Sequence, residues 1–198
     1  EVLNKPGPLT AEEFGRLLEA TEQSNRIVGG LSGHERYMLY LTASYTGLRA
    51  GELASLTRSN FAAGAVTVEA GYSKARRLDT IPIPSAIYDQ IVQWARHRPP
   101  GELWPRRWKD DRHTAEMVRA DLTAANIPFE TPAGRFDFHA FRTQYITELA
   151  RAGVQLAHAQ KLARHSTPTL TANYYTRLAN TDLAEAVSRL SLPQKTAT

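Results

Sequence analysis

The chain has 198 residues, 42% of them hydrophobic and 22% charged, which is enough for one sizeable core or two small ones. It contains no cysteine, which excludes disulfides, cysteine-ligated zinc and thiol nucleophiles; no signal peptide is visible in it, and it holds no apolar run of about eighteen residues that would span a membrane as a helix. The formal net charge of +4 favours a polyanionic partner, and only five of the 24 basic residues are lysine, leaving mostly arginine, whose planar fork suits phosphate oxygens.

The predicted elements run as follows. Leu9-Thr10-Ala11-Glu12-Glu13 reads as a capping box, with Thr10 as N-cap and Glu13 three residues on, and predicts a helix to about Ala20. A second helix is expected from Glu35 to Tyr45, where Tyr37, Met38, Leu41 and Tyr45 recur at helical spacing, and Thr46-Gly47 stops it. A short helix follows near Gly51 to Leu56. Residues Ala65 to Ala70 alternate as a strand, with Val66 and Val68 on one face, and Asp79 to Ile83 returns as its partner. Lys74 is therefore expected at or near the tip of a β-hairpin. Helical segments are then expected over Ser85 to Arg96, Arg112 to Ala125, His139 to Ala152, Val154 to Ala163, Thr169 to Tyr174 and Asp182 to Leu190, and Pro99 to Lys109 reads as a loop rich in Pro, Trp and Arg. The fold class expected is mainly α with a small antiparallel β-sheet inserted early, one domain over residues 1–192, and a disordered tail over 193–198. The chain begins at Glu1 without Met, which suggests a piece of a longer protein.

Three segments carry chemistry. His139 and Arg142 are three residues apart and share a face at the N-terminus of a helix, where anions are favoured. In Thr46-Gly47-Leu48-Arg49-Ala50-Gly51-Glu52-Leu53 a glycine turn sets Arg49 at the mouth of a short helix, and Glu52 is placed to pair with it or orient it. In Leu162-Ala163-Arg164-His165-Ser166-Thr167-Pro168 a His ends one helix, and the pair Tyr174-Tyr175 follows on the next. Each segment alone is a weak signal. The order of all of them is not: Arg49, Lys74, His139-x-x-Arg142, His165 and Tyr175.

In that order and local wording the chain resembles the tyrosine recombinases of the phage-integrase type. Thr-Gly-Leu-Arg-x-x-Glu-Leu is similar to the family's first-arginine motif. Lys74 ahead of Thr80-Ile81-Pro82-Ile83 looks like its lysine hairpin, and His139-Ala140-Phe141-Arg142 resembles its His-x-Leu-Arg box, with Phe141 in place of Leu. The block from Leu162 to Thr176 resembles its last motif, with Arg164 where the family often has Gly. The register Tyr-Thr-Arg points to Tyr175 as nucleophile and leaves Tyr174 as a packing residue. The resemblance covers about Leu9 to Leu190.

The resemblance implies attack by a tyrosine oxygen on a DNA phosphodiester, giving a 3′-phosphotyrosine and a free 5′-hydroxyl. Negative charge gathers on the phosphate oxygens in such a transition state, and positioned cations stabilise it. Arg49 and Arg142 suit that clamp, His165 a further hydrogen bond, His139 the general base toward Tyr175, and Lys74 the general acid for the leaving oxygen. No cofactor, metal or ATP is called for. Candidate phosphate contacts are Arg76, Arg77, Arg106, Arg107, Lys109 and Arg164. The expected partners are a double-stranded DNA recombination site, three further copies of the chain in a tetramer on two such sites, and accessory proteins; the expected location is the cytoplasm, with the nucleoid. An N-terminal core-binding domain, usual in the family, is absent from this sequence. Part of the C-terminal segment, about Thr181 to Leu190, is expected to pack on a neighbouring protomer or to fold back on its own chain. Two other readings share the pattern: a type IB topoisomerase, which would relax supercoils without choosing a sequence, and a DNA-binding module that keeps the fold without catalysis.

Overall fold

The computed structural model describes residues 5–69, 71, 78–104, 106–175 and 187–188. The hairpin tip with Lys74, Arg76 and Arg77, most of the helix expected over Asp182 to Leu190, and the tail lie outside the described residues. The chain divides into two compact units, Glu1–Ile146 and Thr147–Thr198.

In the first unit, α1 (Ala11–Glu22) opens on the capping box read from the sequence: Thr10 Oγ1 accepts the Glu13 N–H, and the Glu13 carboxylate accepts the Thr10 N–H. Ser32 and Glu35 repeat the device at the start of α2 (Gly33–Thr46). Helix α2 is the axis of the unit, since ten of its fourteen residues are buried. It is therefore apolar or satisfied nearly all round rather than amphipathic. It packs on α1 and on α4 (Ser85–Arg96), and α1 packs also on α5 (Asp111–Ala124).

One buried charge network locks α2 to α5. Arg36 is fully buried and uses all five of its N–H groups. Nε and Nη2 fork onto the Asp121 carboxylate at 2.8 and 2.9 Å, Nη1 donates to the carbonyls of Arg26 and Leu31, and Nη2 also donates to Ser24 Oγ. The Tyr40 hydroxyl donates to the same carboxylate at 2.8 Å. Burial first, then the Asp121 charge, pushes that phenol well above its ordinary range, so it stays a donor.

The three-stranded sheet is antiparallel in the order β1 (Phe61–Ala62), β2 (Ala65–Val68), β3 (Asp79–Pro82). Val66 pairs with Ile81, and Val66, Val68 and Ile81 are all buried, as the alternation predicts. Strand β1 was not anticipated. It is two residues long, and its turn is Ala63-Gly64 with φ of +49° and +76°, so Ala63 takes a left-handed position usually given to Asn or Gly. A second small hairpin, β4 (Glu130–Thr131) with β5 (Gly134–Arg135), was also not anticipated. The N-terminal segment runs beside it, with the Gly7 N–H on the Arg135 carbonyl and the Arg135 N–H on the Lys5 carbonyl, both 3.0 Å.

The stretch expected as a loop over Pro99 to Lys109 is pinned rather than free. Trp104 and Trp108 are fully buried. Trp104 stacks on Trp94 and donates its indole N–H to the Glu35 carbonyl, and Trp108 packs on Phe138. Residues 106–109 form a single 3-10 turn. Tyr40, Phe136, Phe138 and Phe141 complete an aromatic cluster behind the start of α6 (Ala140–Arg151).

The boundary between the units falls within α6. In the second unit Gly153, at φ +72°, ends α6, and α7 (Leu156–Ala163) packs on α8 (Pro168–Tyr175). Among the described residues no helix is long and apolar enough to cross a membrane.

Breaking the central network strands a buried charge. Asp121→Asn is expected to lower stability by about 3–5 kcal/mol, the usual cost of removing one partner of a buried pair. Glu12→Gln, which breaks the exposed Glu12–Arg16 pair, is expected to change it by less than about 0.5 kcal/mol. Urea unfolding of both variants checks this, and equal losses would refute the central role of Asp121.

Candidate active site

Gly47 begins the site. It follows α2 in the left-handed conformation, φ +62°, and its N–H caps the helix on the Ala43 carbonyl. A Cβ there would meet Tyr145 Cδ1 at 2.5 Å. The turn swings the chain so that Arg49 precedes the short helix α3 (Ala50–Leu53). Glu52, on α3 and almost fully buried, accepts the Arg49 backbone N–H at 2.8 Å and lies 3.5 Å from its Nη1. This is the orienting role read for Glu52 from the sequence. The Arg49 side chain stays one third exposed.

Arg142 reaches the same turn from α6. It is almost fully buried, and its Nη1 donates to the Gly47 carbonyl. One turn of backbone thus fixes both arginines: it carries Arg49 covalently and holds Arg142 by a hydrogen bond. His139 stands at the opening of α6. Removal of its ring from water, then the Arg142 charge, lowers its pKa, with Asp137 opposing and Arg49 adding to the fall. Part of the residue's surface nevertheless remains exposed.

Arg49, His139 and Arg142 open on one cleft of about 410 Å³ in the first unit, together with Lys109, Arg135 and Asp137. Three of the predicted catalytic residues and one of the predicted phosphate contacts are therefore brought together. Arg107 is exposed near the cleft-lining Lys109 in the chain, and Arg106 belongs to the same 3-10 turn. Asp137 and Arg135 were missed. The signal for Asp137 was available, because Asp two residues before His139 is an N-cap type of residue ahead of a helix.

His165 and Tyr175 belong to the second unit. Arg164 ends α7 at φ +55°, and the His165 N–H bonds back to the Gln160 carbonyl. The left-handed cap gives a backbone reason for the glycine common here in the resembled family, since an L side chain pays for this conformation and glycine does not. The His165 ring is held by Thr171 Oγ1, 2.9 Å from Nδ1, and Tyr174 stacks on it at 6.2 Å. The Tyr175 hydroxyl donates to the Val154 carbonyl in the turn between α6 and α7. Burial raises its pKa above the ordinary phenol value, so it is held as the neutral phenol. Lys74, Arg76 and Arg77 lie outside the described residues.

The Phage integrase family pattern matches residues 8–181. The chain belongs to the phage integrase family. It is 28% identical over 192 residues to the tyrosine recombinase XerA of Pyrococcus furiosus, covering 94% of this chain and 63% of that protein, so it spans less than two thirds of that relative's length. Among solved structures it resembles the catalytic domain of bacteriophage HP1 integrase, with a TM-score of 0.66 at 20% identity over 93% of this chain and 95% of that one. It also resembles the Tn1549 transposon integrase in complex with a circular intermediate DNA, with a TM-score of 0.73 at 19% identity over 94% of this chain and 67% of that one. These likenesses establish the fold expected from the sequence, mainly helical with a small antiparallel sheet.

Two outcomes follow from the site. Gly47→Ala is expected to cost about 2–4 kcal/mol, from left-handed strain plus the collision with Tyr145. A double-mutant cycle with Tyr145→Ala should recover the collision part and leave the strain; additive losses would show that no collision occurs. For His139, the folded chain holds the proton less tightly than the unfolded chain, whose value is near 6.5. Its contribution to stability is therefore present at neutral pH and is lost as pH falls from about 6.5 through the lower folded value. His139→Gln should flatten the stability curve between about pH 5 and pH 7, measured as urea midpoints; an unchanged slope would refute the shift.

Proposed function

We propose that the chain is the catalytic part of a site-specific DNA recombinase, which cleaves and rejoins DNA strands through a 3′-phosphotyrosine. The observation that carries this reading is the cleft in which Arg49, Arg142 and His139 stand together, with the Arg142 guanidinium held on the Gly47 carbonyl and that of Arg49 beside the Glu52 carboxylate. A phosphodiester seated there meets two arginine forks positioned before the reaction, so little reorganisation is needed as charge develops.

Tyr175 is the nucleophile in this reading. Its raised pKa leaves almost no phenolate at neutral pH, so it needs a base. His139, whose lowered pKa keeps it neutral near pH 7, takes the phenol proton as the Tyr175 O–P bond forms. The P–O5′ bond breaks, and Lys74 gives the departing oxygen its proton. His165 adds a hydrogen bond to the phosphate, with its ring set by Thr171. The covalent link conserves the phosphodiester, so a second 5′-hydroxyl can attack and displace the tyrosine, and the energy balance calls for no ATP. The cationic clamp supplies the charge that a metal would otherwise bring.

Arg76, Arg77, Lys109 and Arg164 are the proposed phosphate contacts, with Lys109 supported by its place on the cleft. The proposed target is a double-stranded recombination site, bound by four copies of the chain on two such sites, with accessory proteins choosing the outcome. The DNA-bound Tn1549 integrase among the similar folds supports a DNA target.

Covalent trapping tests the reading. Nicked duplexes with a randomised central sequence are incubated with the protein, and adducts that survive denaturant are recovered. The expected result is an adduct in the parent and in Tyr174→Phe, and at least a 1,000-fold loss (an order-of-magnitude figure for removal of a nucleophile) in Tyr175→Phe. Loss in Tyr174→Phe alone would move the nucleophile by one residue. No adduct from a folded, DNA-binding parent would leave a non-catalytic module, and adducts without sequence preference would favour a topoisomerase.

A further inference from the structure

We propose that Asp137 is a positioning residue for His139, anchoring the opening of α6 and setting one negative charge beside the imidazole. The inference rests on the strand-transfer reading above, in which His139 exchanges the tyrosine proton.

The geometry holds the Asp137 carboxylate from two sides. Oδ1 lies 3.1 Å from the Ala140 N–H and shares it with the Asp137 carbonyl, 2.9 Å away, so both Asp137 oxygens hold the start of α6. Oδ2 accepts Nε of Arg135 at 3.1 Å. Arg135 is itself tied down through its backbone, by the Lys5 carbonyl, the Gly7 N–H and its pairing with Glu130 in the β4–β5 hairpin. His139 lies in the chain between the carboxylate and the N–H that it caps. The cap and the ion pair therefore set where α6 begins, and with it the position of His139 and, one turn on, of Arg142.

Capping alone does not account for an aspartate. Ser, Thr or Asn cap a helix about as well without charge. A carboxylate on the wall of an anion-binding cleft weakens the pull on phosphate, and among the described residues Asp137 is the one acidic group lining it, against Arg49, Lys109, Arg135 and Arg142. The charge pairs with Arg135 and also acts on the imidazole. Arg142 and Arg49 both drive the proton off His139, and Asp137 opposes them. A base pushed too low accepts a proton poorly, and the carboxylate holds His139 nearer the range useful at neutral pH. Arg135 neutralises much of the same carboxylate toward the phosphate, since it is both its ion-pair partner and a lining residue.

The test separates the charge from the cap. Asp137→Asn keeps a capping oxygen and removes the charge; Asp137→Ala removes both. Ring-proton NMR titration of the free protein is read first, with His34, which pairs with Glu22 at 3.3 Å, as internal control. His139 is expected to titrate lower by roughly 0.5–1 pH unit in both variants, with His34 unmoved, and only Asp137→Ala should melt at clearly lower temperature. In the trapping assay the acid limb of adduct formation should move down by the same amount in Asp137→Asn. A His139 titration unchanged in Asp137→Asn overturns the assignment. So does a slower reaction whose acid limb stays in place, because a structural fault alone would give that. A parent that forms no adduct, while His139 still responds to Asp137→Asn, overturns the strand-transfer reading and leaves the electrostatic coupling standing.

Discussion

The first unit depends on a single buried ion pair. Arg36 and Asp121 sit where almost no water reaches, and every N–H of the guanidinium has a partner. A buried pair of this kind adds little net stability over an apolar pair of the same size, because desolvation offsets most of the attraction. Its effect is on uniqueness. A fork that must meet one carboxylate, two carbonyls and a hydroxyl together tolerates one register of α2 against α5 and one path for residues 24–31. Helix α2 is buried nearly all round, so hydrophobicity alone would specify its rotation poorly. The charge network does so.

That constraint reaches the site through the far end of the same helix. Arg36 lies in the first turn of α2, and Gly47 follows its last residue. With α2 held, the left-handed turn at Gly47 sets both the direction of Arg49 and the carbonyl that receives Arg142. The aromatic cluster of Tyr40, Phe138 and Phe141 continues the support to the start of α6, and Tyr40 is also a ligand of Asp121. On the proposed reading this is how the protein positions two arginines for the phosphate. Long cationic side chains lose rotamer freedom on ordering, and here folding meets that cost before any phosphate arrives.

Much of the architecture was legible because its causes are local. Thr10 with Glu13 declared the start of α1 by the hydrogen bonds that it makes, and Val66 and Val68 alternate because a strand has two faces. The elements missed were those with little local cause. Strand β1 is too short to show alternation, and its turn puts Ala63 in a conformation that its side chain does not favour. Trp104 and Trp108 looked like loop residues, since their surroundings are rich in Pro and Arg. Their burial comes from partners distant in sequence, namely the Glu35 carbonyl, Trp94 and Phe138.

The site divides in the same way. Residue type and order along the chain, from Arg49 through His139 and Arg142 to His165 and Tyr175, were enough to carry the resemblance to the family to which the chain belongs; the roles proposed for these residues are the cations, base and nucleophile that phosphoryl transfer needs. Glu52 was legible too, since a contact three residues away on a helix is a local matter. What no spacing could reveal was that Arg142 rests on the Gly47 carbonyl, ninety-five residues back, or that Arg135, Asp137 and Lys109 stand on the same cleft wall. Those placements follow from packing between elements remote in the chain, and only the folded structure decides them.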